Sequence, residues 1–134
     1  MTSAPTRSTL LQDRGLIRLF GPDAKPFLQA LVSNDIARLE SQRAIYAALL
    51  TPQGKYLHDF FIVALAGALW LDCERARQAD LQRRLTLYRL RSKVDISDAN
   101  GGCAAAAIFG GDAPAAAGLP RQAGQGRDLG GGIV

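Results

Sequence analysis

Ala44-Ile45-Tyr46-Ala47-Ala48-Leu49-Leu50-Thr51-Pro52-Gln53-Gly54-Lys55-Tyr56-Leu57-His58-Asp59-Phe60-Phe61-Ile62-Val63 carries the clearest structural pattern in the chain. Apolar segments flank Thr51-Pro52-Gln53-Gly54-Lys55, and a proline followed two places later by glycine is turn chemistry that joins antiparallel strands. The stretch reads as a β-hairpin. Its second strand separates into two faces, with Tyr56, His58, Phe60 and Ile62 on one and Leu57, Asp59, Phe61 and Val63 on the other. Both faces are mostly apolar. A strand apolar on both sides is normally covered on both, so Asp59 is expected in an apolar setting, where it needs a partner or a ligand.

Working outward, a turn at Ala66-Gly67 leads into a third strand over residues 68–73, which extends the hairpin to a three-stranded meander. The spacing of Leu81, Leu85 and Tyr88 then predicts a helix over residues 75–89, with arginines on its exposed face and Glu74 and Asp80 towards its start, as the helix dipole prefers. Lys93-Val94-Asp95-Ile96 alternates polar and apolar and reads as a strand returning to the sheet. Upstream, residues 15–21 form an apolar strand that ends at Gly21-Pro22. A helix should follow, with Asp23 as cap, Pro26 in the first turn, Phe27, Leu28, Leu31 and Val32 on one face, and Ser33-Asn34-Asp35 as its end. The fold class is therefore α+β, an antiparallel sheet packed with two main helices.

The chain of 134 residues is 48% hydrophobic and 21% charged, the range of one globular domain. Residues 1–14 are expected to be a flexible N-terminus and residues 15–100 the folded lobe. Ten of the 14 glycines lie from Gly101 onward, so residues 101–134 read as an Ala/Gly-rich linker, with a small-residue strand over 103–109 and an apolar pair at Ile133-Val134 where another strand would begin. The chain looks cut there. Cys73 and Cys103 have no metal-ligand spacing, so no metal is expected. With no signal-peptide pattern and no apolar run long enough to span a bilayer, the expectation is a cytoplasmic protein with reduced thiols and no membrane contact.

Asp59 is the suspicious carboxylate, but a surface aspartate on an imperfect strand, or one satisfied by backbone N–H groups, explains it as well. His58, the only histidine, reads more naturally as a space-filling or locally bonded imidazole than as a general base, since no second catalytic residue is in sight. Asp72 ends the third strand, a common ligand position, although it or Glu74 would equally cap the helix at Arg75. The net charge of +4 favours anionic partners in general. The run Arg75, Arg77, Arg83, Arg84, Arg89, Arg91 and Lys93 reads as a solvated helix face; nucleic-acid binding would usually add stacking aromatics, and the helix has only Tyr88, already claimed by its apolar face. No phosphate loop and no nucleophile elbow is present.

Phe20-Gly21-Pro22-Asp23-Ala24 with Phe27-Leu28-Gln29, Val32-Ser33-Asn34-Asp35, the hairpin 46–60, Leu71-Asp72-Cys73 and Tyr88-Arg89-Leu90-Arg91-Ser92-Lys93-Val94 together resemble the opening of YgfZ-type folate-binding proteins, relatives of the glycine cleavage T-protein. The similarity runs in order over residues 16–98. It implies the first lobe of a three-domain α+β ring around tetrahydrofolate, in an accessory factor of iron–sulfur cluster assembly or repair.

On that resemblance Tyr46 matches a T-protein tyrosine. His58 replaces the first of two adjacent aspartates, and Asp59 retains the second, which takes part in aminomethyl transfer. Asp59 is thus the catalytic candidate, and Tyr46, Asp59, Phe61 and Asp72 are the folate-binding candidates. The His58 replacement and the Pro-Gln-Gly-Lys turn lean away from the aminomethyltransferase, which stays as the enzymatic alternative, with a basic RNA-binding module as a third reading. The family's Lys-Gly-Cys-x-x-Gly-Gln-Glu motif is absent. The partners implied are a folate, further domains of the same protein or another copy, and iron–sulfur proteins.

Overall fold

The hairpin forms where the turn chemistry places it. In the computed structural model, which describes residues 5–119, 126–129 and 132–133, β3 (Ala44–Leu50) and β4 (Tyr56–Leu65) pair antiparallel. The turn is closed by Thr51 N to Lys55 O (2.7 Å) and Gly54 N to Thr51 O (2.8 Å), with Gly54 at φ 84°. The strand β5 (Ala68–Glu74) completes the meander. The upstream strand β2 (Arg14–Phe20) then adds to the far side of β5, and β6 (Asp95–Asp98) to the far side of β2. The order β3-β4-β5-β2-β6 makes one five-stranded antiparallel sheet.

Every second residue of these strands points to one covered face. Ile17, Leu19, Ile45, Leu49, Phe60, Ile62 and Leu71 are buried there, against Phe27 and Leu28 of α1 (Ala24–Gln29) and Leu81 and Leu85 of α3 (Arg75–Arg89). Each fully buried side chain of this size contributes about 1.5–3 kcal/mol relative to exposure. Cys73 belongs to the same core, and burial pushes its thiol up to about 11. A polar clasp locks α3 to β2: buried Gln78 donates to Leu16 O (3.0 Å) and accepts from Asn100, whose Oδ1 accepts from Leu16 N (2.8 Å).

The expected end of the first helix at residues 33–35 is not where it stops. α1 ends at Gln29, because Val32 bridges to Leu49 and Ser33 N donates to Ala48 O (3.0 Å), which draws the chain onto the edge of β3. Asp23 precedes α1 without capping it; its carboxylate instead accepts from Lys93 N (2.7 Å). A 3-10 turn (Ile36–Arg38) and the one-turn helix α2 (Leu39–Gln42) follow, neither of which the local pattern signals.

The expected flexible N-terminus also differs. Arg7–Leu10 is strand β1, paired with Ala106–Phe109 (β7), which lies within the small-residue strand expected over residues 103–109. Local periodicity is blind to such a pairing, since each strand gains its hydrogen bonds only from the distant other. Beyond α4 (Ala113–Ala116), the short strands Asp128–Leu129 (β8) and Gly132–Ile133 (β9) pair with each other.

Candidate functional site

Among the described residues no helix packs on the other face of the sheet, where the candidate residues gather. Cross-strand register aligns Tyr46 with Phe61, Phe61 with Asp72 and Asp72 with Leu16, so all four share one row on the outer face; Ala48 and Asp59 lie in the next row. Tyr46 is 54% exposed and Phe61 46%. Their ring centroids are 5.4 Å apart at 58°.

Asp59 is not in the apolar, covered setting its strand implied. It stands on the open face, because alternation turns His58, Phe60 and Ile62 into the core and leaves its own row outward. Two tyrosines supply its partners: Tyr46 Oη donates to Oδ2, and Tyr56 Oη donates to Oδ1 at 3.2 Å. The Tyr46 hydroxyl above all holds the Asp59 carboxyl below its ordinary 3.8. Reciprocally, the Asp59 hydrogen bond raises Tyr46 above 10.0, and desolvation followed by the same carboxylate raises Tyr56.

These shifts set a pH window. A depressed carboxyl favours the folded state above about 4 and loses that contribution as pH falls through its folded value; raised phenols favour it below about 10 and lose theirs as pH rises through their folded values. Asp59→Asn is expected to bring two of the three tyrosine titrations, those of Tyr46 and Tyr56, back towards 10.0, as read from phenolate absorbance. Unchanged titration would mean that the triad does not persist in solution.

Asp72 neither caps α3 nor stands free. Arg14 Nε meets its Oδ1 at 2.8 Å and Arg14 also donates to its carbonyl at 2.9 Å, while Glu74 occupies the cap position without a capping bond. His58 points the opposite way from Asp59 and is 3% exposed. Its Nε2 lies 2.7 Å from Asp80 Oδ2. Asp80 also accepts from Arg84 and Arg83, and these bonds, Arg84's first, hold its carboxyl far below the usual range. A carboxylate can only accept, so Nε2 carries the proton. The site therefore unites Tyr46, Asp59, Phe61 and Asp72 but leaves His58 behind the sheet.

Arg14 and Tyr56 are the members the sequence did not point to. Tyr56, three residues from Asp59 and next to the turn, was legible in principle; Arg14 was not, since its partner lies three strands along the chain order. The arginine run is largely engaged within the chain: besides the Asp80 pairs, Arg77 donates to Leu57 O (2.6 Å) and Arg75 to Arg14 O (3.1 Å). Clefts run along α3 by Gln82 and Thr86 and beside Gly21 and Lys93, and a smaller one is lined by Arg14 and Leu16 together with Leu10 and Cys103.

Residues 11–119 match the family model described as the GCVT N-terminal domain. The mitochondrial iron–sulfur cluster assembly factor IBA57 of Mus musculus is 35% identical over 100 residues, 64% of this chain and 28% of that protein. Its homolog from Chaetomium globosum is 36% identical over 111 residues, 69% of this chain and 25% of that protein. An aminomethyltransferase of Bordetella petrii is 41% identical over 61 residues, 45% of this chain and 17% of that protein. The crystal structure of glycine cleavage system aminomethyltransferase T from Bartonella henselae superposes with a TM-score of 0.71 over 92% of this chain and 36% of that one, at 23% identity, a likeness of fold.

The chain thus spans about a quarter of the length of these curated relatives. The expectation of a cytoplasmic protein is overturned, because the assembly-factor relatives are mitochondrial. Compartment is encoded in targeting segments, not in the composition of a folded lobe.

Proposed function

The chain belongs to the GCVT N-terminal domain family, and from that premise we propose that it is a tetrahydrofolate-binding part of an accessory factor in iron–sulfur cluster assembly. The observation that carries the reading is the ionised, tyrosine-braced Asp59 on the sheet face opposite the described helices, beside an exposed aromatic pair. A reduced folate offers N–H donors and flat rings. The residues fit both: Asp59 accepts from the amines, and Tyr46 and Phe61 lend apolar or stacking surface. Asp72, held by Arg14 in the row of Phe61, borders the same surface. When bound, tetrahydrofolate would supply one-carbon chemistry; Asp59 would orient its amine region.

A single wall binds weakly, so nuclear magnetic resonance is the suitable measurement. Titration with tetrahydrofolate is expected to shift the amides of Tyr46, Asp59 and Phe61 saturably, and Asp59→Asn to weaken binding about tenfold or more, the worth of a charge-assisted hydrogen bond. Shifts elsewhere, or equal binding by the variant, would overturn the reading. The second reading, an aminomethyltransferase, is favoured by the match to the Bordetella petrii enzyme. Given an aminomethyl donor and tetrahydrofolate, the protein is expected to form no methylenetetrahydrofolate above the uncatalysed level. Asp59-dependent formation would replace the accessory role with an enzymatic one.

A further inference from the structure

We propose that Arg18 is a carboxylate-binding residue on the same sheet face as Asp59, taking the glutamyl carboxylate of the folate ligand. The inference rests on the folate reading and adds to it the far end of the ligand.

Arg18 is paired across β2 with Trp70 of β5 and Ser97 of β6, between the inward Ile17 and Leu19, which puts it on the outer face. Its guanidinium carbon lies 4.6 Å from the Phe20 ring centroid and 5.7 Å from that of Trp70. Trp70 is itself anchored by its indole N–H to Leu65 O at 2.8 Å. The neighbouring arginines are satisfied within the chain, Arg14 by Asp72 and Arg75, Arg77, Arg83 and Arg84 as described. Arg18 differs. Among the described residues it makes no ion pair and no side-chain hydrogen bond, and Asp95, opposite Phe20 on β6, does not pair with it.

A guanidinium with aromatic rings against its faces keeps its N–H donors in the plane, aimed at the rim. Such a fork matches a carboxylate in two parallel hydrogen bonds, and its loss of freedom has already been met by the rings. Position agrees with this role. At about 3.4 Å per residue along a strand and about 4.8 Å between strands, Arg18 lies about 12 Å from Phe61 and about 17 Å from Asp59 across the face. A reduced folate with its amines at Asp59 and its rings on Tyr46 and Phe61 extends its aminobenzoyl-glutamate that far.

The test crosses one substitution with one ligand change. Binding of tetrahydrofolate and of tetrahydropteroate, which lacks the glutamate, is measured by amide shifts for the whole chain, for Arg18→Gln and for Asp59→Asn. Arg18→Gln is expected to weaken tetrahydrofolate about tenfold and leave tetrahydropteroate unchanged; Arg18→Lys, which keeps the charge without the fork, should fall between, and it carries the comparison should the glutamine variant not fold. Equal weakening of both ligands would reduce Arg18 to a brace for Phe20 and Trp70 and overturn the proposal. So would undiminished tetrahydrofolate binding by Arg18→Gln while Asp59→Asn still impairs it, an outcome that leaves the folate reading standing. If the unaltered chain binds neither ligand, or if Asp59→Asn binds both equally well, the folate reading falls and takes this inference with it.

Discussion

Phe60→Ala is expected to destabilise the chain by about 3–5 kcal/mol, the cost of removing a large aromatic from a site that cannot collapse. Phe60 is 1% exposed and stands on β4 between His58 and Ile62, opposite Ala47. Its cross-strand neighbour is small, so the ring packs among Leu28, Ile62, Leu81 and Leu85 in the core with no large partner opposite it. Domains of this size are stable by about 5–15 kcal/mol in total, so the variant should sit near the edge of folding. Urea titration followed by tryptophan fluorescence measures this: the midpoint should drop sharply with the slope unchanged. A loss below 1 kcal/mol would mean that the core around Phe60 packs more loosely than its burial shows. The neighbouring outward residue serves as a control, since Phe61→Ala removes a ring already 46% exposed and is expected to cost far less.

The second large effect belongs to Gly21, at the junction where β2 leaves the sheet. Its φ is +142°, and a Cβ there would lie 2.4 Å from Lys93 O and 3.0 Å from Val94 Cα. Both obstacles are backbone. They are held in place by the reciprocal bonds Asp23 N to Lys93 O (3.2 Å) and Lys93 N to Asp23 Oδ2 (2.7 Å). Gly21→Ala therefore combines a left-handed conformation with a clash that nothing flexible can relieve, and is expected to cost about 3 kcal/mol, at the top of the range for local backbone strain. Gly67→Ala isolates the first part: φ is +74° but open space surrounds it, so about 1–2 kcal/mol is expected, the left-handed penalty alone. Thermal melts of both variants check the difference. Equal losses would show that the Lys93 segment moves aside.

The elements that were legible in the sequence are those whose cause is local. Pro52 and Gly54 fix the hairpin, Leu81 and Leu85 recur at helical spacing, and α3 occupies the 75–89 span the periodicity predicts. The family resemblance rests on short ordered motifs and named Tyr46, Asp59 and Asp72, which the register then places on one face with Phe61. Less legible were the features made by chain segments far apart. The helix after Asp23 stops early because Val32 and Ser33 join β3, and Arg7–Leu10 becomes a strand only through Ala106–Phe109.

In the Asp59 hairpin, neighbouring residues set the turn, the alternation and the presence of a carboxylate that needs partners. It took the assembled sheet to turn the carboxylate outward between two tyrosines, to give Asp72 to Arg14, and to send His58 under the sheet to Asp80. The reason is physical. Turn type and side-chain period depend on adjacent residues, whereas which face is covered depends on where the helices land, and a hydrogen bond between distant strands exists only once the whole sheet is in register.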